Sequence, residues 1–169
     1  RFATIESHTG DIGIGRINDN TQYVGNVLEN NSVDHFNGDI AEIIYYNTAL
    51  NEAEHSIIVN YLGEKYGVSL SADDNYDESA YNYELIGIGQ AAGDSHTAST
   101  GNGGGLYLAD NGSSLADDEW LLAGHNNQVH QLTNAEAPTG FGRWNRSWHI
   151  EKTGAVNAKI VFNTTEAGF

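Results

Sequence analysis

The spacing of apolar positions along this chain changes period near residue 50. Up to residue 46 the apolar residues fall in short runs divided by polar turns: Phe2 to Ile5, Ile12 to Ile17 with glycines at 13 and 15, and Tyr23 to Leu28. Such runs predict strands. An Asn37-Gly38 turn signal then opens a run containing Ile40, Ile43, Ile44, Tyr45 and Tyr46. Its β-branched and aromatic content predicts a strand buried on one or both faces. The period next lengthens to three and four, with Ile57, Ile58, Tyr61, Leu62 and Tyr66 on one helical face. Asn51 is a suitable N-cap, Glu54 completes a capping box, and Glu52 and Glu54 place negative charge at the positive end of the helix dipole. Lys65 in the last turn and Gly67 as a left-handed stop close the pattern, predicting a helix over about 51–66. Its distinctive side chains are apolar or capping, which makes it scaffold.

Alternation returns after Leu70. The run "SADDNYDESAYN" is acidic and has no apolar period, so a domain boundary is placed at residues 71–79. Beyond it "YELIGIGQ" reads as a strand and "AAGDSHTASTGNGGG" as a flexible loop. "LYLAD" reads as a strand ending in an Asn-Gly turn, and "WLLAGHN" as another. "GRWNRSWHIEKTG" and "AKIVFN" read as a hairpin, with Trp144, Trp148 and Ile150 on one face of its first strand.

Composition agrees with strands joined by many turns. Hydrophobic residues are 39% and charged residues only 18% of the 169, with 20 glycines. With no cysteine and no methionine, a disulfide framework, a thiolate metal site and a cysteine nucleophile are excluded. No apolar run reaches the roughly 20 residues of a spanning helix, so membrane insertion by this segment is not expected. The first residues lack the grammar of a signal peptide, and the chain reads as a piece cut from a longer polypeptide.

Charge narrows the partners. Against 23 acidic residues stand 7 Lys and Arg, a net charge of −16, and no Lys or Arg lies between Tyr66 and Gly142. Nucleic acids and anionic membranes both require basic surface, so neither is an expected partner. Divalent cations are the natural counter-charge, beside the simpler role of acidity in solubility.

Two stretches resemble known families. "FNGDIAEIIYYNTALNEAEHSIIVNYLGEKYGVSL" resembles the C-terminal end of bacterial LamG-like, concanavalin A-like jelly rolls, where an F-x-G-x-I-x-E-I strand runs into an N-x-x-L-x-x-x-E helix and a Y-L-x-x-K-Y-G close. "YELIGIG", "DDEWLLAGHN" and "RWNRSWHIEKTG" are similar to a β-rich domain that often follows such jelly rolls in large secreted, surface-attached bacterial proteins. This second likeness spans residues 76–169 and departs from the family at "GIGQAAGD" and at Ile150, where Val is usual. It implies a context and no chemistry. A whole LamG-like sandwich is about twice the length of residues 1–70, so the resemblance implies that only its last strands and helix are here. An open half-sandwich exposes sheet edges and half a core.

Chemistry-bearing residues are weighed last. Asp73, Asn75 and Asp77 occupy positions one, three and five of an EF-hand register, with Glu84 at position twelve. Position six is Glu78, where a glycine is needed, and Glu84 falls in a predicted strand. A looser calcium site using some of Asp73, Asp74, Asp77 and Glu78, with Asn75 as a further ligand, is the metal reading, and a solvated linker the plainer one. Asp117, Asp118 and Glu119 read as a turn before a strand, and His125 as a histidine bonded to a turn. His125 and His130 are five apart and do not share a strand face by alternation, and no H-x-H or H-E-x-x-H pair exists for zinc. No G-x-S-x-G elbow or phosphate loop is present. Of the tryptophans, Trp144 is the candidate for stacking a sugar ring, while Trp148 reads as core.

The expectation is therefore a mostly β chain. Residues 1–70 would be the end of a jelly-roll β-sandwich with one C-terminal helix, 71–79 an acidic linker, and 80–169 a second β-sandwich-like domain truncated at its C-terminus. The expected role is a non-catalytic structural or adhesive module of a large secreted or cell-surface bacterial protein, with calcium as a stiffener. Its partners would be neighbouring domains of the same polypeptide, surface glycans or other extracellular proteins. The alternatives are a carbohydrate-binding module attached to a secreted enzyme, and a filament subunit completed by strand addition from a neighbouring chain.

Overall fold

In the computed structural model the described residues are 37–101, 105–112 and 114–164. The chain divides into two compact units, Arg1–Tyr45 and Tyr46–Phe169. Of the first unit, residues 37–45 are described, and they form neither strand nor helix. The strand expected over Ile40 to Tyr46 is thus absent, and Ile40, Ile43, Ile44 and Tyr45 are exposed. β-branched residues favour an extended backbone, but that preference alone does not make a strand. The strands expected before residue 37 lie outside the described residues.

The second unit begins with helix α1, Glu52–Tyr66, formed as its local signals predict. The Asn51 side chain accepts from the Glu54 N–H at 2.8 Å, and the Glu54 carboxylate accepts from the Asn51 N–H at 3.0 Å. At the other end Gly67 adopts φ +62°, which only glycine takes without steric cost.

Nine strands follow among the described residues: β1 (Tyr83–Ala91), β2 (Asp94–His96), β3 (Ala98–Thr100), β4 (Leu106–Asp110), β5 (Glu119–His125), β6 (Leu132–Thr133), β7 (Arg143–Trp144), β8 (Trp148–Thr153) and β9 (Ala158–Phe162). All pairings are antiparallel, in a four-stranded sheet β2-β1-β5-β8, a three-stranded sheet β3-β4-β9 and the short ribbon β6-β7. The unit is mostly β with one α-helix among the described residues, an arrangement consistent with a β-sandwich.

Two expectations for this half are corrected. The stretch read as a flexible loop contains β2 and β3, because Ala92 (φ +50°) and Gly93 (φ +83°) make a two-residue hairpin turn with both central residues left-handed. The last two strands are not a hairpin: β8 pairs with β5 and β9 with β4. Between them Gly154 turns at φ +75° and Val156 is buried in the core, so the chain crosses from one sheet to the other.

The alternation of β1 explains the layering. Ile86 and Ile88 join Leu121, Ala123, Leu106, Leu108, Leu115 and Val156 in a core fed by both larger sheets. The intervening Leu85, Gly87 and Gly89 face the other way, where Leu122, Trp120 and Tyr76 meet Ala53 and Ile57 of α1. Space on that face is tightest at Gly89. A Cβ at Gly89 would stand 2.1 Å from the Trp120 ring, and one at Gly87 3.3 Å from Ile57. Helix α1 therefore packs on strands of the segment expected to be a separate domain, and the acidic run 71–79 lies inside this unit, between α1 and β1.

Candidate functional site

The acidic run is held down from beneath by one buried amide. Asn60 of α1 is 1% exposed, and its Nδ2 donates to the Ser56 carbonyl at 2.9 Å and to the Asp73 carbonyl at 2.8 Å. Its Oδ1 accepts from the Asn75 N–H at 2.8 Å. Three backbone groups are thus satisfied by one side chain, as burial demands. Asp73 turns at φ +59°, a conformation that aspartate tolerates better than most residues, and its carbonyl also accepts from Asn75 Nδ2 at 3.0 Å. Tyr76 is buried and its hydroxyl donates to the Tyr81 carbonyl at 2.9 Å.

This arrangement fixes the backbone at several of the predicted metal residues. Asp73 contributes its carbonyl to the Asn60 clamp. Asn75 is bound to the same clamp. The Asp77 N–H donates to Glu151 Oε2 on β8 at 3.1 Å. The Glu78 carboxylate caps the one-turn helix Ser79–Tyr81 by accepting from the Ala80 N–H at 3.3 Å. Glu84, position twelve of the calcium register, is engaged by His125 on a neighbouring strand. Among the described residues no group of three or more His, Asp or Glu side chains is set to hold a metal ion.

What the run does form is a cleft of about 290 Å³ against the C-terminal end of α1, lined among others by Glu64, Lys65, Asp74, Asp77, Ser79 and Asn82. Burial raises the pKa of Glu64 above the usual carboxylate value, and Asp77, Asp74, Glu151 and Glu78 raise it further. The helix end adds partial negative charge. Asn60 and Glu64 were not singled out in the sequence. The available signal for Asn60 was a polar residue three positions after Ile57 on the apolar stripe of the helix.

The Gly124-His125-Asn126 stretch forms a second polar centre. A Cβ at Gly124 would lie 2.0 Å from the Tyr81 carbonyl oxygen and 2.9 Å from the Tyr76 hydroxyl, so glycine allows that crossing. His125 is 2% exposed, and its Nδ1 accepts from the Asn127 N–H at 3.0 Å. An accepting Nδ1 puts the proton of the neutral ring on Nε2, which donates to Glu84 Oε2 at 3.0 Å. Burial lowers the His125 pKa and outweighs the opposing pull of the Glu84 hydrogen bond, while Arg146 and His130 lower it further. Asn126 Nδ2 donates to Ser147 Oγ at 2.8 Å and its Oδ1 accepts from the Ser147 N–H at 3.2 Å. Arg146 completes the joint, with Nε donating to the Gln128 carbonyl at 2.9 Å and Nη1 standing 3.8 Å from Glu84 Oε2.

Trp144, the predicted sugar platform, is half-buried in an aromatic cluster. Its ring centroid is 5.1 Å from those of His130 and Trp148 and 5.5 Å from that of Phe162, all at tilted or edge-on angles. Trp148 and Phe162, on strands of different sheets, are 5.4 Å apart. The cluster therefore ties β7, β8 and β9 together, with Phe162 still 43% exposed.

No protein-family model, no curated protein and no solved structure matches this chain.

Proposed function

We propose that this chain is part of a non-catalytic structural and adhesive module of a large secreted or cell-surface bacterial protein, made from the end of a LamG-like jelly roll and the β-rich domain that follows it. One observation carries the reading: the polar side chains of its most distinctive motif bind the chain to itself. Both nitrogens of His125 are occupied, one by a backbone N–H and the other by Glu84. Asn126 and Arg146 tie the end of β5 to the segment leading into β8. In this arrangement the imidazole acts as a bridge between the Asn127 N–H and the Glu84 carboxylate, which is a structural role.

Calcium is the proposed counter-ion of the acidic run, whose Asp74 and Asp77 line the cleft at the end of α1. Calorimetric melting of the full chain in calcium and in chelator tests this part. A calcium-dependent rise in midpoint that Asp74→Asn with Asp77→Asn abolishes is the expected result, since an ion that binds only the folded state stabilises it. An unchanged midpoint overturns it. Adhesion is tested by retention of chain-coated beads on arrays of glycans and extracellular proteins, and beads that stay on no surface would remove the adhesive role. Turnover of ester, peptide or glycoside substrates that disappears in His125→Gln would remove the non-catalytic one.

A carbohydrate-binding module is the second reading, favoured by the partly exposed Trp144, Trp148 and Phe162 cluster. Glycan binding lost in Trp144→Ala, with the melting midpoint retained, would select it.

A further inference from the structure

The sequence contains Asn-Gly pairs at 37–38, 102–103 and 111–112, and the last stands where the fold is sensitive to backbone length. Asn111 and Gly112 are both exposed, and Gly112 turns at φ +78°. Among the described residues the Asn111 side chain has no hydrogen-bond partner, while its N–H donates to the Asn157 carbonyl at 3.0 Å. That bond continues the β4–β9 ladder beyond its last pair, Asp110 with Ala158. A following glycine has no Cβ to hinder the approach of its amide nitrogen to the preceding side chain.

We propose that Asn111–Gly112 is a self-modification site, at which asparagine converts to aspartate and isoaspartate with water as the only co-reactant. The Gly112 amide nitrogen forms a bond to Asn111 Cγ, the Cγ–Nδ2 bond breaks, and ammonia leaves with the proton that the amide gave up. The product is a five-membered succinimide. Water then adds to either ring carbonyl, and the bond from that carbon to the Gly112 nitrogen breaks. Opening at Cγ gives aspartate, and opening at the main-chain carbonyl gives isoaspartate. Both products carry a new carboxylate next to Asp110. Isoaspartate also adds one methylene to the main chain at the residue whose N–H holds Asn157, so the end of β4 loses its register with β9.

The test is incubation of the full chain at mildly alkaline pH and body temperature, with site-resolved peptide mapping over weeks, beside a free peptide of sequence Asp-Asn-Gly-Ser. The expected result is a gain of about one mass unit on the Asn111 peptide, part of it isoaspartate. Asn111→Gln should suppress the gain at this position, because ring closure through the longer side chain is slower. The aged wild type should melt below the fresh protein while the aged variant does not. An Asn111 peptide unchanged in the folded chain while the free peptide converts would overturn the proposal. A mass gain that persists at this position in Asn111→Gln would overturn it too.

Discussion

Single side chains decide how the acidic run and the strand ends are held. Asn60→Ala leaves the Asp73 carbonyl and the Asn75 N–H without their buried partner. The expected loss is about 2–3 kcal/mol in urea unfolding, and a loss under about 0.5 kcal/mol would show that solvent replaces the clamp. Gly124→Ala would drive a methyl group into the Tyr81 carbonyl, 2.0 Å away. It should cost about 3 kcal/mol, because the obstacle is backbone. His125 makes stability depend on pH with a definite sign. Its folded pKa lies below the unfolded value of 6.5, so its contribution is complete above that pH and declines as pH falls towards the folded value. In His125→Gln the loss of stability on going below pH 6.5 should shrink, read as a smaller drop in melting midpoint relative to wild type. None of these partners was legible in the sequence: a buried asparagine and a carboxylate 41 residues from its histidine are joined only by folding.

At the scale of the element, the span and ends of helix α1 and the strands β1, β4 and β5 were readable, while the buried face of the helix, formed by Ala53, Ile57, Asn60 and Gly63, and the strands β2 and β3 were not. The cap, capping box, terminal charges and left-handed stop of α1 are all written within the segment and act within one turn of its ends. Asn51→Ala should therefore cost about 1 kcal/mol by removing the cap. Hydrogen exchange should rise first in the opening turn of α1, and a uniform rise across the β-sheets would contradict that local origin. The run Ile40 to Tyr46 has stronger strand composition than β2 or β3, yet it is not a strand and they are. A hairpin turn at Ala92 and Gly93 brings Asp94 back onto β1 with no need of strand-forming residues. At β2, turn geometry outweighs propensity.

For the whole molecule, charge and layering set the response to conditions. Glu64 has a folded pKa above its ordinary value, and the groups facing it are Asp74, Asp77, Glu78 and Glu151. Its contribution is fully present below the unfolded value of 4.5 and is lost as pH rises through the folded value, opposite in sign to that of His125. Glu64→Gln should raise the melting midpoint at neutral pH and have little effect in acid. Equal shifts at both pH values would place the effect in packing and not in charge. No helix among the described residues is long and apolar enough to cross a membrane.

The sequence by itself determined the helix and its ends, the mostly β character of the rest, the acidity, and the absence of thiol chemistry, because each depends on composition or on contacts within a few residues. Only the tertiary structure decided that α1 covers the glycine face of β1 and β5, that β8 and β9 part to different sheets, and that Asn60 and Glu151 hold the backbone of the acidic run. Those outcomes rest on contacts between residues far apart in the chain. Glycines at 87, 89 and 124 permit them by leaving space, and the sequence does not say what enters that space.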